Sequence, residues 1–237
     1  MIRPIACLTP LALALAACGQ NSSPPDNAAT ALANAARNAS DKGTPLIGIP
    51  THSFDPPVPK HLPDIVRIRM ETSAGTIVLA LDHRHAPVTT TNFVRYVDDH
   101  RFDGTSFYRA ARNAWAPDQG FIQGGIAHNI RLMLPPIRLE PTSETGLKHR
   151  DGTISMAHAT PDDAMGDFTI DVGAQPGLDS KPGSNKDEDK GFAAFGQVVE
   201  GMDVVRHILA APTVPYQGKP SENIAAPVRI IRASRTR

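Results

Sequence analysis

The stretch Ile65–Leu81, which reads IVRIRMETSAGTIVLAL, decides the class of fold. In its first half Val66, Ile68 and Met70 alternate with charged residues, which is the period of a strand with one buried face. Residues 72–75 predict a turn, and apolar residues then alternate again. Two alternating segments joined by a short turn predict an antiparallel β-hairpin, and they mark where a folded domain begins.

Short strand-like segments and two helices follow this hairpin. Pro87 suits the first turn of a helix, and one apolar face continues that helix to about Asp99. A second helix is predicted at Met202–Leu209. Many short strands with two helices favour a mainly β fold, an antiparallel barrel capped by helices. The predicted strands are Gly104–Arg109, Phe121–Gly124, Thr153–Met156, Phe168–Val172, Ala194–Val199 and Val228–Ala233.

The N-terminal segment, residues 1–18, has the features of an export signal. Arg3 gives a positive start, and the apolar run after it is too short to span a membrane. The run ends in Leu15-Ala16-Ala17-Cys18, which resembles the lipobox of bacterial lipoproteins, where the cysteine is lipidated. Gly19 resembles the pattern of lipoproteins sent on to an outer membrane. We therefore expect an exported, periplasmic protein anchored to the outer membrane through Cys18; the alternative for the apolar run is a core helix.

Composition separates a tether from the folded domain. Residues 19–63 are rich in Ala, Asn, Ser and Pro and lack the period of a strand or a helix, so we expect a disordered tether. Residues 64–237 are then the folded domain. Both cysteines, Cys7 and Cys18, precede this domain, which excludes a disulfide, a thiolate metal site and a cysteine nucleophile within it. The 24 basic and 24 acidic residues balance, which gives no sign of a nucleic-acid partner.

Five motifs occur in order along the folded domain. They are Ala86–Phe93 (APVTTTNF), Phe102–Arg109 (FDGTSFYR), Phe121–Gly125 (FIQGG), Gly152–Ala157 (GTISMA) and Phe195–Asp203 (FGQVVEGMD). Each motif alone is a weak signal, but in this order and spacing they resemble the signature of the cyclophilin-type peptidyl-prolyl cis-trans isomerases. The resemblance covers residues 65–234 and implies an eight-stranded antiparallel closed barrel capped by two α-helices.

The activity of this family needs neither a nucleophile nor a metal nor a cofactor. Rotation about an X–Pro bond faces a barrier of about 20 kcal/mol because amide resonance must be broken. An apolar pocket for the proline ring and a donor aimed at the prolyl nitrogen lower this barrier, because that nitrogen accepts a hydrogen bond mainly in the transition state. By resemblance, Arg109 is the catalytic donor, and Gln123 hydrogen-bonds the substrate backbone and helps to place the arginine. The alternatives are a surface arginine at a strand end and ordinary hydrogen bonding in the barrel wall.

The resemblance also assigns a surface that binds the substrate. Phe121 and Met156 are predicted for the wall of the proline pocket, and Ala157 and His158 for its rim. The alternative is that Phe121 and Met156 are ordinary core residues, as most apolar strand residues are. Leu178 is a further predicted substrate contact.

The chain departs from the family pattern around this surface. Asp167 and Thr169 stand where the family has a glutamine and a phenylalanine. Losing an aromatic wall removes apolar contact worth about 1–3 kcal/mol, enough to lower the rate tenfold or a hundredfold. Asp167 either pairs with Arg109 and holds it or turns it away. Extra residues between Arg109 and Gln123, among them Trp115, also change the spacing that the family has there.

The sequence therefore predicts an exported peptidyl-prolyl isomerase that assists the folding of exported proteins. Its partners are proline-containing segments of unfolded or partly folded proteins, and no metal or cofactor takes part. The alternative is a catalytically weak or inactive module that binds proline peptides as a chaperone or scaffold. A purely structural envelope lipoprotein is a third possibility. We expect a monomer that meets the membrane only through its lipid anchor.

Overall fold

The structure, a computed structural model, describes residues 62–181, 183–184, 186–215 and 221–236. Its strands are β1 Ile65–Thr72, β2 Gly75–Asp82, β3 Ser106–Asn113, β4 Ala116–Gly125, β5 Thr153–Met156, β6 Asp167–Val172, β7 Ala193–Glu200 and β8 Asn223–Thr236. Its helices are α1 Pro87–Asp98, α2 Thr142–Thr145 and α3 Met202–Leu209, with 3-10 turns at Pro176–Leu178 and Asp187–Asp189.

The strands form a closed antiparallel barrel in the order β1-β2-β7-β5-β6-β4-β3-β8. The predicted hairpin is β1–β2, in which Thr72 pairs with Gly75 across the turn. Strand β8 pairs with β1 and closes the barrel. The predicted mainly β barrel is confirmed. Of the helices, α1 and α3 are the two predicted ones, and α2 is a single turn.

Alternation along the strands fills the barrel with apolar side chains. The fully buried residues include Ile68, Leu79 and Ile122, each from a different strand. Helix α1 adds Phe93, whose ring lies 4.8 Å from that of Phe102, 5.3 Å from Phe168 and 5.4 Å from Phe195. Helix α3 buries Val205, Ile208 and Leu209, the stripe expected of an amphipathic helix.

A buried glutamate from a distant loop caps helix α1. The residue before the helix, Ala86, offers no side-chain cap. Instead, Glu140 Oε1 accepts the Val88 N–H at 3.1 Å, and Oε2 accepts the Thr89 N–H at 2.8 Å and the Thr89 hydroxyl at 2.7 Å. A carboxylate satisfies amide groups that a helix start otherwise leaves unpaired, and it complements the helix dipole. This contact ties the long β4–β5 connection to the helix.

The predicted signal segment 1–18, with Cys18, and the tether as far as residue 61 lie outside the described residues. Among the described residues, no helix is long and apolar enough to cross a membrane.

Candidate active site

A β-bulge places Arg109 on the outside of the barrel. Strands β3 and β4 pair Phe107 with Gly124 and Arg109 with Gln123, so Tyr108 is an extra residue in the ladder. Phe107 is fully buried in the barrel core, whereas the Arg109 side chain is 39% exposed. Bulges often occur beside active sites because they redirect a side chain.

Three neighbours hold the Arg109 guanidinium. Its Nε donates to Glu222 Oε2 at 2.7 Å, and its Nη1 donates to Gln123 Oε1 at 2.8 Å. The guanidinium carbon lies 5.1 Å from the centre of the Phe121 ring, within cation–π range. These bonds engage two of the five N–H groups that an arginine carries. The others have no hydrogen-bond partner among the described residues and can donate to a ligand on this face.

The polar surface continues from Arg109 across neighbouring strands. Gln123 on β4 pairs with Thr169 on β6. Thr169 Oγ1 lies 2.8 Å from Ser155 Oγ on β5. Because paired residues of adjacent strands share a face of the sheet, these side chains lie on one outer face of the sheet, where Thr169 and Ser155 are nearly buried. We name Arg109, Phe121, Gln123 and Thr169 the Arg109 face.

The predicted rim residues lie beside the Thr169 end of this face. The Ala157 N–H donates to the Asp167 carbonyl at 2.9 Å and so extends the β5–β6 pairing. His158 Nε2 donates to the Gly191 carbonyl at 2.9 Å. The next residue, Phe192, donates its N–H to the Leu178 carbonyl at 3.0 Å. The His158 side chain and the Leu178 carbonyl thus meet the same segment, Gly191-Phe192, while the Ala157 backbone is held on β6.

A cavity opens beside His158. The His158 ring lies 4.5 Å from the Phe192 ring, and both line a cavity of about 220 Å³ together with Pro161 and Glu188. A larger cavity of about 350 Å³ lies elsewhere, against residues such as Ile65, and no predicted site residue lines it.

Met156 lies inside the barrel, not on the Arg109 face. It pairs with Phe168, while its neighbour Ser155 pairs with Thr169. Successive strand residues point to opposite faces, so Met156 and Phe168 point inward. Both are fully buried in the core. Met156 therefore supports the face from behind, and its side chain has no surface for a peptide to touch.

The Asp167 side chain forms hydrogen bonds with groups other than Arg109. Its Oδ1 accepts the Tyr108 hydroxyl at 3.1 Å and the Ala127 N–H at 2.8 Å. Burial, followed by the charge and hydrogen bond of Asp167, raises the pKa of Tyr108 well above its ordinary value, and a hydrogen bond with Gln123 opposes the rise. Tyr108 is therefore a neutral donor. It holds Asp167 at the edge of the face, and Arg109 pairs with Glu222 instead.

A buried carboxyl group, that of Asp171, lies on the same face of β6 as Thr169. Asp171 pairs with Phe121 in the β4–β6 ladder. It is fully buried, and neither carboxyl oxygen has a hydrogen-bond partner among the described residues. Burial, with smaller contributions from Asp179 and Asp151, raises the pKa of Asp171 to about 8. Asp171 is therefore mostly protonated at neutral pH.

The loop near Asp171 carries a second buried titratable side chain, His149. Its Nδ1 lies 2.9 Å from Asp179 Oδ1. Burial lowers the pKa of His149, although the contact with Asp179 opposes the change. Burial raises the pKa of Asp179, but the hydrogen bonds with His149 outweigh this, and the pKa is lowered. The pair is thus a neutral imidazole hydrogen-bonded to a carboxylate. No group of three His, Cys, Asp or Glu side chains able to hold a metal occurs in the described part of the chain.

Sequence reasoning missed Glu222, the ion-pair partner of Arg109. Glu222 follows Arg109 by 113 residues and reaches it only because β8 pairs with β3. No local pattern signals that contact. The extra residues between Arg109 and Gln123 lengthen the β3–β4 hairpin. Trp115 lies at its tip with 92% exposure, so it does not cover the Arg109 face.

The closed eight-stranded antiparallel barrel agrees with the class of fold that the five motifs predict. Residues 67–235 match the family described as "Cyclophilin type peptidyl-prolyl cis-trans isomerase/CLD". The chain is 37% identical over 163 residues to peptidyl-prolyl cis-trans isomerase A of Dickeya dadantii. The aligned region covers 66% of this chain and 80% of that relative. It is 33% identical over 168 residues to a peptidyl-prolyl cis-trans isomerase of Acinetobacter baylyi, and the aligned region covers 69% of this chain and 82% of that relative.

The fold has a counterpart among solved structures. A cyclophilin type peptidyl-prolyl cis-trans isomerase of Cryptosporidium parvum superposes with a TM-score of 0.57 at 18% identity, covering 73% of this chain and 98% of that one. At this identity the likeness bears on the fold alone. On the family match and the bacterial relatives, the chain belongs to the cyclophilin-type peptidyl-prolyl cis-trans isomerases and is an enzyme of that class.

Proposed function

We propose that Arg109 is the hydrogen-bond donor to the prolyl nitrogen, in an isomerase that acts on proline-containing segments of exported proteins. One observation carries the proposal. Arg109 is held by Glu222 and Gln123 beside the half-buried Phe121 ring, with N–H groups left to meet a ligand. A prolyl ring against Phe121 brings its nitrogen close to the guanidinium.

The reaction needs no bond to be made or broken other than the partial double bond of the amide. As the bond rotates, the prolyl nitrogen becomes pyramidal and its lone pair can accept a hydrogen bond from Arg109. A hydrogen bond to a charged group contributes about 1.5–3 kcal/mol. Because the acceptor exists mainly in the transition state, that contribution lowers the barrier rather than only tightening binding. Arg109 therefore supplies roughly a tenfold to hundredfold acceleration by this contact alone.

Gln123 has two tasks in this mechanism. Its Oε1 accepts the bond from Arg109 and fixes one side of the guanidinium. Its amide nitrogen is then oriented to donate to a backbone carbonyl of the peptide. Because one side chain both binds the peptide backbone and orients the arginine, the donor stays aligned with the proline.

Thr169 supports a second candidate, a binding module with weak catalysis. Thr169 is 8% exposed, and its hydroxyl is turned to Ser155. This part of the Arg109 face is polar, and among the described residues the Phe121 ring offers an apolar contact beside the arginine. A shallow apolar surface weakens the hold on the proline ring, and with it the binding energy that aligns the substrate.

One assay separates the two candidates. The full chain is added to a peptide with a single X–Pro bond, and cis-to-trans conversion is followed by coupled proteolysis of the trans form. An isomerase raises the rate in proportion to protein concentration. A binding module leaves the uncatalysed rate unchanged while the peptide's NMR signals broaden. A dipeptide, Ala-Pro, was present with the Cryptosporidium parvum protein in a second structure, which supports short proline peptides as first ligands.

We propose further that the enzyme acts in the periplasm, attached to the outer membrane by a lipid on Cys18, as a monomer without a nucleic-acid partner. The support is the sequence Leu15-Ala16-Ala17-Cys18 after an apolar run. A cell expressing the chain is labelled with radioactive fatty acid and fractionated, with Cys18→Ser as the control. Label in the outer membrane that disappears in the variant supports the proposal. Unlabelled protein in both cases contradicts it.

A further inference from the structure

We propose that Glu222 is a positioning residue that sets the direction of the Arg109 guanidinium. The Nε–H of Arg109 donates to Glu222 Oε2 at 2.7 Å, the shorter of the two bonds that hold this group. The inference rests on the proposed role of Arg109 as the donor. Strand β3 lies between β4, which carries Gln123, and β8, and Glu222 immediately precedes β8.

The backbone of Glu222 is fixed to the strand that carries Arg109. The Ala110 N–H donates to the Glu222 carbonyl at 2.8 Å. The next residue, Asn223, pairs with Arg109 in the β3–β8 ladder, and its carbonyl accepts the Val214 N–H at 2.9 Å. Because its main chain is held on both sides, Glu222 presents its carboxylate from a fixed point.

Two bonds to different nitrogens orient a planar group that one bond leaves free to turn. Gln123 holds Nη1 and Glu222 holds Nε, so together they fix the plane of the guanidinium and the direction of its remaining N–H groups. Without Glu222, the side chain could rotate about its outer bonds while Nη1 stays on Gln123. Small errors in the position of a reacting group reduce rate strongly.

The effect of Glu222 is geometric rather than a matter of fold stability. The side chains of Arg109 and Glu222 are 39% and 47% exposed, and ion pairs this exposed add little to stability. Removing the carboxylate should therefore lower the turnover rate and leave folding intact. A rival effect has the opposite sign: if the carboxylate instead draws Arg109 away from the substrate, its removal raises the rate.

The test compares Glu222→Ala and Glu222→Gln in the full chain. Glu71→Ala is the matched control, because Glu71 is also 47% exposed and also accepts from an arginine Nε, that of Arg69, at 3.3 Å. We expect Glu222→Ala to lower kcat about fivefold and to change KM less than about twofold, since the donor is misaligned in the transition state. Glu222→Gln keeps an oxygen for the Nε–H and should stay within about twofold of the original kcat. Glu71→Ala should change neither constant.

A spectroscopic measurement separates positioning from a general structural effect. The Arg109 Nε–Hε signal in a ¹⁵N NMR spectrum should shift and exchange faster with solvent in Glu222→Ala, while the unfolding temperature stays that of the original protein. An unchanged kcat, a raised kcat or an unchanged Arg109 signal in Glu222→Ala overturns the inference. Arg109→Ala, measured in parallel, tells the two failures apart. If Arg109→Ala retains full activity, the proposed role of Arg109 is wrong. If Arg109→Ala loses activity and Glu222→Ala does not, only the role of Glu222 is rejected.

Discussion

The hydroxyls of Thr169 and Ser155 lie 2.8 Å apart on neighbouring strands, beside the glutamine that holds Arg109. Each hydroxyl satisfies the other in a nearly buried place, because Thr169 is 8% and Ser155 1% exposed. The pair makes this end of the Arg109 face polar. It explains in physical terms how a position that carries an aromatic ring in the family pattern tolerates a small polar residue here.

Restoring an aromatic ring should strengthen catalysis. Thr169→Phe alone would leave the Ser155 hydroxyl buried without a partner, so it is combined with Ser155→Ala. A ring against the prolyl group adds apolar contact worth about 1–3 kcal/mol, and kcat/KM should rise about tenfold. The control, Ser155→Ala with Thr169→Val, removes both hydroxyls but adds no ring. Equal rates for the two double variants would contradict the role of this position in holding proline.

Glu140 should be important for stability because it caps helix α1. Its two carboxylate oxygens accept both the Val88 and Thr89 N–H groups. Glu140→Gln keeps one acceptor oxygen, removes the charge and leaves a buried N–H facing an amide NH₂. The free energy of unfolding, measured by urea titration, should fall by about 1–3 kcal/mol. Glu144→Gln is the control, since the Glu144 side chain is 65% exposed; an equal loss in both variants would contradict the capping role.

Asp171 should make stability depend on pH. Its pKa is about 8 in the folded chain, against an ordinary 3.8. Between these values the folded state keeps a proton that the unfolded state releases, so stability falls as pH rises through this window. Asp171→Asn resembles the protonated acid and cannot ionise. The variant should therefore unfold at a higher temperature than the original protein near pH 8.5, and the difference should be much smaller near pH 4.5.

A matched control separates this effect from a general change of charge. Asp118 is exposed on the β3–β4 hairpin, and Asp118→Asn removes the same charge from a solvated place. The groups that act on Asp171 besides burial are Asp179 and Asp151. If the difference in unfolding temperature between Asp171→Asn and the original protein does not grow with pH, Asp171 is ionised or paired rather than protonated in the folded chain.

Local sequence patterns predicted the hairpin β1–β2 well, because apolar residues alternate along both of its strands. The bounds of Thr153–Met156 and Met202–Leu209 agree with the structure residue for residue. The same alternation also places Met156 inside the barrel, since Ser155 and Met156 cannot share a face. The resemblance to the family assigned Met156 to the pocket wall, and that assignment did not take into account that successive strand residues point to opposite faces.

Contacts made by barrel closure were not predictable from local patterns. Glu222 meets Arg109 only because β8 pairs with β3, and its segment shows no motif that points to the site. The hydrogen bond between Tyr108 and Asp167 likewise depends on the bulge at Tyr108, and the spacing of residues along the sequence does not reveal that bulge. The extra residues near Trp115 lengthen a hairpin, so they alter the spacing along the chain without moving Gln123 away from Arg109.

We propose that Arg109 supplies the hydrogen bond that speeds isomerisation. The most direct measurement is kcat/KM of Arg109→Ala in the full chain, on one X–Pro peptide. The matched control is Arg69→Ala, because the Arg69 side chain is 46% exposed and also pairs with a glutamate. We predict that Arg109→Ala lowers kcat/KM about a hundredfold while peptide binding persists, and that Arg69→Ala leaves it unchanged. An Arg109→Ala variant that folds, binds the peptide and keeps more than about half of the original kcat/KM would contradict the claim.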